Sequence, residues 1–203
     1  MKKILLPLLL SLAVCASATA AQHSVTEKGD NFYFEYPVFT DLNTLAETRM
    51  NRDIRKLVNS SREDLKTPDI ATASTGYSVH YEDEKYVNIL FINHYYYDRA
   101  AHGMYYTHGI TYDKTTGKRV PYTQFAPALE AEQLKQDIID KKYSVYVDAD
   151  SLTQTSDAPF ITYIDNFKVS EDFVLGKHGS VYLIYQPYEL DCYAAGPTFV
   201  KIK

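Results

Sequence analysis

The run of residues 86–97 constrains the fold more than any other part of the chain. It reads YVNILFINHYYY, so β-branched, aromatic and other apolar side chains occupy nearly all of it. Such residues pack well on a pleated surface, and we predict one long strand over the whole run. Similar runs predict further strands at residues 31–36, 74–81, 104–112, 167–175, 180–185 and 198–202, the first of them ended by Pro37.

Two helices are predicted between these strands. Over residues 41–64 apolar side chains recur every three to five positions, and Thr40 or Asp41 is the expected N-cap. The apolar stripe of this first helix consists of Leu42, Leu45, Met50, Ile54, Leu57 and Val58. The second helix covers residues 127–142, and its stripe consists of Leu129, Leu134, Ile138 and Ile139. Helices that interrupt antiparallel strands indicate an α+β fold, with two main helices packed against one or more antiparallel sheets in a single domain.

The N-terminal segment has the three-part order of a secretory signal peptide. Lys2 and Lys3 precede an apolar run over residues 4–16, and small residues follow at 16–21. A membrane anchor needs roughly 20 apolar residues, more than this run contains. Lipidation of Cys15 is disfavoured by the bulk of Val14 before it. We therefore expect cleavage near Ala21 and export of residues 22–203 to the periplasm or the medium, with no membrane span in the mature chain.

Charge and cysteine content narrow the classes of partner. The formal net charge is −5, and it becomes more negative when Lys2 and Lys3 leave with the signal peptide. An acidic protein repels nucleic acid and anionic lipid, whereas it attracts a basic protein ligand. Because Cys15 also leaves, Cys192 has no intramolecular partner, and we predict that it is a small buried hydrophobic residue.

A search for catalytic or metal-binding motifs turns up one spacing of interest. His94, Asp98 and His102 lie four apart, which would place them on one face of a helix, but the surrounding residues predict a strand. Four residues of a strand cover about 13 Å, too far for ligands of one ion. The carboxylates of residues 82–84 fit a solvated turn, and no nucleophile elbow or phosphate-binding glycine loop is present. We therefore expect no metal, no cofactor and no enzymatic activity.

Tyrosine is unusually frequent, with 19 residues against no tryptophan. Tyr95, Tyr96 and Tyr97 lie on one predicted strand, and Tyr105 and Tyr106 lie on the next. Strand alternation puts Tyr95 and Tyr97 on one face and Tyr96 on the other. One set belongs to the core, and the other can form an exposed aromatic surface suited to protein recognition. The lack of tryptophan counts against a sugar-stacking module.

Two blocks of the sequence resemble a known domain. The first runs from Phe91 through the Ala-His-Gly loop at residues 101–103 to the DKTTGK hairpin at 113–118, where Gly117 can adopt a positive φ. The second is YQPYELDCYAAG at residues 185–196. Together they resemble the RsiV-like domain of unknown function. The helix over residues 41–64 is similar to the half that precedes the catalytic part of PdaC-type peptidoglycan deacetylases.

The resemblance covers about residues 31–203, with an N-terminal half at 31–112 and a C-terminal half at 113–203. It implies an extracytoplasmic domain without chemistry of its own, which binds lysozyme in anti-sigma factors and accompanies cell-wall processing in the deacetylases. Three residues precede the apolar segment and none follows residue 203, so we expect a stand-alone domain. The resemblance implies Pro187, Tyr188, Glu189 and Tyr193 as binding residues, although each also has a purely structural interpretation.

Three functions remain open at this point. The first is a non-enzymatic binding protein of the bacterial cell envelope whose ligand is a basic protein such as lysozyme. The second is a peptidoglycan-binding or glycan-binding module. The third is an uncharacterised envelope hydrolase, which would need a cleft that gathers His94, Asp98 and His102.

Overall fold

The structure is a computed structural model that describes residues 21–147 and 152–203. The predicted signal peptide lies outside the described residues, apart from Ala21. Within these ranges the elements are, in order, β1 (Ala21–Lys28), β2 (Phe32–Thr40), α1 (Thr44–Asp64), β3 (Ile70–Glu82), β4 (Tyr86–Tyr97), β5 (Met104–Asp113), α2 (Ala131–Ile139), β6 (Val145–Tyr146), β7 (Thr155–Ser156), β8 (Phe173–Leu175), β9 (Val181–Tyr185) and β10 (Thr198–Lys201).

The first five strands form sheet 1, in the spatial order β1-β2-β3-β4-β5. β2 and β3 run parallel, and the other neighbouring pairs are antiparallel, so sheet 1 is mixed. The turn between β3 and β4 is held by Asp83, whose Oδ1 accepts hydrogen bonds from the backbone N–H groups of Lys85 (2.8 Å) and Tyr86 (2.6 Å). β4 has the bounds that the sequence predicts.

The last five strands form sheet 2, which is antiparallel and has the order β7-β6-β10-β9-β8. Its strands are short, with two residues each in β6 and β7. The prediction of a strand over residues 167–175 is wrong for its first six residues, because β8 begins only at Phe173. β1, β6 and β7 are not predicted from the sequence.

α1 begins three residues later than predicted. Asn43 is the N-cap, and its side-chain oxygen accepts a hydrogen bond from the N–H of Ala46 at 3.0 Å, so the prediction of Thr40 or Asp41 as the cap is wrong. Met50, Ile54 and Val58 are buried against sheet 1, as the helical periodicity predicts. Leu45, which was expected in the apolar stripe, is 55% exposed.

α2 is shorter than the predicted helix over residues 127–142. Leu134 and Ile138 are buried as expected, whereas Ile139 is exposed and Leu129 precedes the helix. Within β4, Tyr95 and Tyr97 pack into the core beneath α1 while Tyr96 is exposed, as strand alternation predicts.

The helices and sheets form four layers, because side chains along the central strands alternate between two buried faces. In β4, Ile89 and Phe91 belong to the core that α1 covers, whereas Leu90 packs against sheet 2. In β9, Leu183 belongs to the core that α2 covers, whereas Ile184 faces sheet 1. The order of the α+β domain is therefore α1, sheet 1, sheet 2, α2. Because β4 and β9 are buried on both faces, their sequences are almost continuously apolar.

Pro37 does not end β2, contrary to the prediction. β2 pairs with β3 only as far as Phe34, so its other edge is open beyond that point. On this open side the Asn51 side chain bonds the N–H (2.7 Å) and the carbonyl (2.9 Å) of Phe39. Pro37 and Phe39 are two residues apart, so their backbone groups point to the same side of β2. Pro37 has no N–H, and on this side the pairing with β3 ends at Phe34, so no hydrogen bond to β3 is lost.

Candidate functional site

Residues 186–197 connect β9 to β10, and we call this segment the closing loop. Its first residue, Gln186, is fixed to the edge strand β5 of sheet 1. The Thr107 N–H donates to Gln186 Oε1 at 2.8 Å, and Gln186 Nε2 donates to the Thr107 carbonyl at 2.8 Å. The Gln186 amide thus pairs with β5 as a neighbouring strand would, and it anchors the start of the loop to sheet 1.

The backbone of the closing loop is bent at two residues with positive φ. Tyr188 has φ +72° and Gly196 has φ +78°. The conformation of Tyr188 is uncommon for a residue with a side chain, and a hydrogen bond from its N–H to the Asp191 carbonyl (3.0 Å) holds it in place. A Cβ atom at Gly196 would lie only 3.0 Å from the hydroxyl of Tyr105, so glycine also permits close contact with β5.

Four rings, His102, Tyr105, Tyr188 and Tyr193, meet where the closing loop passes β5, and we call them the aromatic cluster. The His102 ring stacks on Tyr193 with centroids 3.9 Å apart and planes 22° apart. Tyr188 stacks on the same ring at 5.9 Å, and its hydroxyl lies 3.5 Å from His102 Nε2. The ring centroids of Tyr105 and Tyr193 are 5.5 Å apart. Tyr193 therefore forms the centre of the cluster.

The two motif blocks that carry the sequence resemblance thus come together in space. The Ala-His-Gly loop between β4 and β5 supplies His102, and the closing loop supplies Tyr188 and Tyr193. Gly103 fixes the path of the first block, because a Cβ atom there would overlap the imidazole of His94. The cluster is accessible, since His102 is exposed and Tyr188 is 51% exposed.

Glu189 follows Tyr188 in the closing loop and adds a carboxylate to it. Its Oε2 accepts a hydrogen bond from the Gln186 N–H at 2.6 Å. Partial burial of the carboxyl group, followed by the negative charge of Asp172, raises the pKa of Glu189 above its ordinary value. The residue as a whole is exposed, and it borders a cavity of about 170 Å³ that Phe167 and Tyr185 also line. Glu189 forms no ion pair with any residue that the structure describes.

The four predicted binding residues therefore have different environments. Tyr188 and Glu189 are exposed, Tyr193 is half-buried at the centre of the aromatic cluster, and Pro187 is buried. A contact role stays a prediction for all four, and the burial of Pro187 fits its structural interpretation. Sequence reasoning missed the role of Gln186 and the contact of Tyr105 with the closing loop, because the fold alone brings β5 next to that loop.

The histidines at four-residue spacing lie in separate environments. His94 packs on Gly103, and His102 belongs to the aromatic cluster. Asp98 lies 3.5 Å from the Arg99 guanidinium. Among residues 21–147 and 152–203, no group of three or more His, Cys, Asp or Glu side chains is arranged to hold a metal ion.

Cys192 is exposed, so the prediction that it is buried is wrong. It lies in the closing loop, where its N–H is held by Asp191 Oδ1 at 2.7 Å just before the 3₁₀ turn Tyr193–Ala195. Its side chain is therefore directed out of the core.

Similar folds occur among solved bacterial proteins. A DUF3298 family protein from Pseudomonas aeruginosa PAO1 matches with a TM-score of 0.63 and 17% sequence identity, over 92% of this chain and 91% of the other. A member of the DUF3298 family from Bacteroides fragilis NCTC 9343 matches with a TM-score of 0.54 and 13% identity, over 91% and 89% of the two chains. The chain has the DUF3298 fold.

This match confirms the sequence resemblance to the RsiV-like domain at the level of the fold. No protein-family model matches the sequence, and no curated protein does. In the part of the chain that the structure describes, the helices are too short or too polar to cross a membrane.

Proposed function

We propose that the protein is a non-enzymatic, exported binding protein of the bacterial cell envelope that recognises a basic protein ligand through the aromatic cluster and Glu189. The first candidate ligand is a c-type lysozyme, because the RsiV-like domain that the motifs resemble binds lysozyme in anti-sigma factors. One observation carries the proposal. Two segments distant in sequence meet to present stacked, accessible rings on a loop that is fixed to the sheet.

The anchoring of the closing loop to β5 favours a role in protein recognition. Association costs free energy when flexible side chains and loops become ordered, and a loop that is already anchored avoids much of this cost. Gln186 anchors the closing loop, and stacking on Tyr193 orients Tyr188. Tyrosine supplies a large apolar contact together with a hydroxyl group, and it is enriched among residues that dominate binding energies.

Charge supports a basic ligand. Glu189 forms no ion pair with any described residue, although Lys168 lines the same cavity. The negative charge of Asp172, which contacts His108 Nδ1 at 3.3 Å, also acts on the Glu189 carboxyl group. A Lys or Arg side chain of the ligand would pair with Glu189, which follows Tyr188 in the closing loop. Complementary charge mainly increases the rate of association and the choice of partner.

The test is titration calorimetry of the purified exported protein against a c-type lysozyme at low and physiological salt. We expect saturable binding that Tyr188→Ala weakens by about 2 kcal/mol, the usual size for an important interface tyrosine. The matched control is Tyr33→Ala, because Tyr33 is 47% exposed but lies on β2, outside the cluster. Glu189→Gln should weaken binding at low salt more than at physiological salt.

Absence of heat at both salt concentrations would contradict lysozyme as the ligand. Equal weakening by Tyr188→Ala and Tyr33→Ala would contradict the aromatic cluster as the binding site. Sedimentation with purified peptidoglycan then tests the second candidate, which the near-parallel rings of Tyr188 and Tyr193 also suit. That the protein is not an enzyme stays a prediction. Release of soluble fragments during the same incubation would overturn it.

A further inference from the structure

The outer face of α1 carries a concentration of positive charge in a chain whose formal net charge is −5. A groove of about 260 Å³ lies between α1 and the hairpin that follows β5. Its lining consists of Arg49, Arg52, Asp53, Lys56, Gly117, Lys118 and Arg119. A second depression of about 500 Å³ continues along α1, shares Arg52 and Lys56 with the groove, and adds Arg55 and the carboxylate of Glu47. Four of the six arginines of the chain therefore border one surface.

The walls of this groove are held together. Gly117 has φ +65°, and a Cβ atom there would lie 2.5 Å from the Ala46 carbonyl oxygen, so the hairpin lies directly against the first turn of α1. Asn43 Nδ2 donates to the Thr115 carbonyl at 2.8 Å. Arg49 donates to the Thr116 carbonyl at 2.8 Å. The spacing between the helix and the hairpin is thus set by the fold rather than by a ligand.

The carboxylate in the groove is already engaged. Asp53 Oδ2 accepts hydrogen bonds from Arg119 Nε at 2.5 Å and from the Tyr112 hydroxyl at 2.8 Å. Arg52, Lys56 and Lys118 form no ion pair with any residue that the structure describes. The groove therefore combines five cations with one carboxylate, an excess of positive charge that a single carboxylate ligand would not balance.

We propose that this groove binds a soluble phosphate-bearing polyanion, with phosphate groups between α1 and the hairpin and along α1. Phosphate carries up to two negative charges per group, and the planar guanidinium of arginine forms paired hydrogen bonds with its oxygens. Arg49 and Arg119 are each anchored through one nitrogen, so other guanidinium N–H groups are left for the ligand.

A membrane surface fits this site less well. A helix that lies on a bilayer needs an exposed apolar face, whereas the apolar face of α1, with Met50, Ile54 and Val58, is buried against sheet 1. Leu45 is the large hydrophobic side chain exposed on α1, and it does not line the groove. The site is also separate from the closing loop, so it does not depend on the proposed function above.

The experiment titrates the mature protein with sodium tripolyphosphate at several salt concentrations and follows binding by calorimetry. We expect saturable binding that Arg52→Ala with Lys56→Ala weakens by about ten-fold or more, with a shallower dependence on salt because fewer phosphate contacts remain. The matched control is Lys66→Ala with Lys177→Ala, which removes the same charge at exposed positions outside the groove and should change the affinity less than about two-fold.

Three results would overturn the proposal. The first is no saturable binding at low salt, and the second is equal weakening by the two double variants. The third is binding to phosphatidylglycerol vesicles without binding to tripolyphosphate, which would point to a lipid surface. All the substituted residues are exposed, so unchanged circular dichroism spectra and melting temperatures are expected and exclude unfolding as the cause.

Discussion

Sheet 1 is covered by α1 on one face and by sheet 2 on the other, and the two interfaces are built differently. The helix–sheet interface is a broad apolar core in which Met50, Ile54 and Val58 pack against phenylalanine and isoleucine side chains. The sheet–sheet interface has a small apolar core around Leu90, and polar contacts and close backbone packing complete it. One interface therefore depends mainly on buried area, and the other depends on geometry.

This difference predicts different tolerance to substitution. A core that is broad and apolar accepts changes of similar volume at a cost usually below about 1.5 kcal/mol. An interface made of closely packed backbone and buried amide groups is less tolerant of substitution. An added methyl group finds no room there, and a lost hydrogen bond leaves a buried polar group without a partner. Substitutions on the two faces of sheet 1 test this contrast.

The largest effect is expected at Gly109 of β5. A Cβ atom at this position would overlap the backbone of Phe173 in β8, so Gly109→Ala must separate the two sheets. We expect a loss of roughly 3 kcal/mol in the free energy of unfolding, measured by urea denaturation. Gly76→Ala is the matched control, since among the described residues no atom beyond its own chain neighbours lies within 4 Å of the place that its methyl group would take, and β3 retains its pairing. Equal effects of the two alanines would refute the close-packing account.

Two buried asparagines of β4 provide the next comparison, because they face opposite interfaces. Asn88 donates to Thr111 Oγ1 (2.9 Å) and to the Phe173 carbonyl (3.2 Å), and it accepts from the Leu175 N–H (3.3 Å). Asn93 faces α1, where it donates to Ser61 Oγ at 2.5 Å. Within the part of the chain that the structure describes, its own Oδ1 has no hydrogen-bond partner.

We expect Asn88→Ala to cost about 2–3 kcal/mol of unfolding free energy, because it leaves backbone groups of β8 without their partner in the sheet–sheet interface. Asn93→Ala should cost about 1 kcal/mol, since Ser61 Oγ keeps its hydrogen bond with the Tyr95 hydroxyl at 3.1 Å. Chemical denaturation of both variants measures the difference. A larger loss for Asn93→Ala would mean that the polar network beneath α1 stabilises the fold more than the sheet–sheet contacts do.

The same contrast explains how much of the fold could be predicted from the sequence. Periodicity finds side chains that share a face, so the burial of Met50, Ile54 and Val58 in α1 and the bounds of β4 were predicted correctly. It does not reveal that Asn88 and Gly109 belong to an interface, because an amide or a glycine in an apolar strand only weakens the pattern. Two-residue strands such as β6 contain no period to detect.

The candidate site was predictable only in part for a related reason. The motif resemblance included both the closing loop and the Ala-His-Gly loop, but it did not predict that His102 and Tyr188 are in contact. These residues are 86 positions apart, and their contact results from the packing of sheet 2 against sheet 1. The exposed position of Cys192 follows from the path of the same loop, which residue type alone does not determine.

The smallest effect is expected at two side-chain amides that pair with strand edges, one beside each interface. Gln186 bonds the N–H and carbonyl of Thr107 next to sheet 2, and Asn51 does the same for Phe39 beneath α1. Each substitution to alanine should cost about 1 kcal/mol and speed hydrogen exchange of the bonded amide by several-fold to about ten-fold. Because both amides satisfy open strand edges, we expect similar changes at Thr107 and Phe39, measured by exchange with residue resolution.

A difference in hydrogen exchange between Gln186→Ala and Asn51→Ala would show that the two interfaces of sheet 1 use their side-chain amides differently. If Gln186→Ala also speeds exchange in β8 and β9, the Gln186 amide helps to hold the two sheets together, and the sheet–sheet interface extends into the closing loop. If the change stays at Thr107, the amide only protects an edge, and the aromatic cluster is positioned by ring stacking on Tyr193. The first result would link the stability of the fold to the proposed binding surface, since the contacts that join the sheets would then also orient Tyr188.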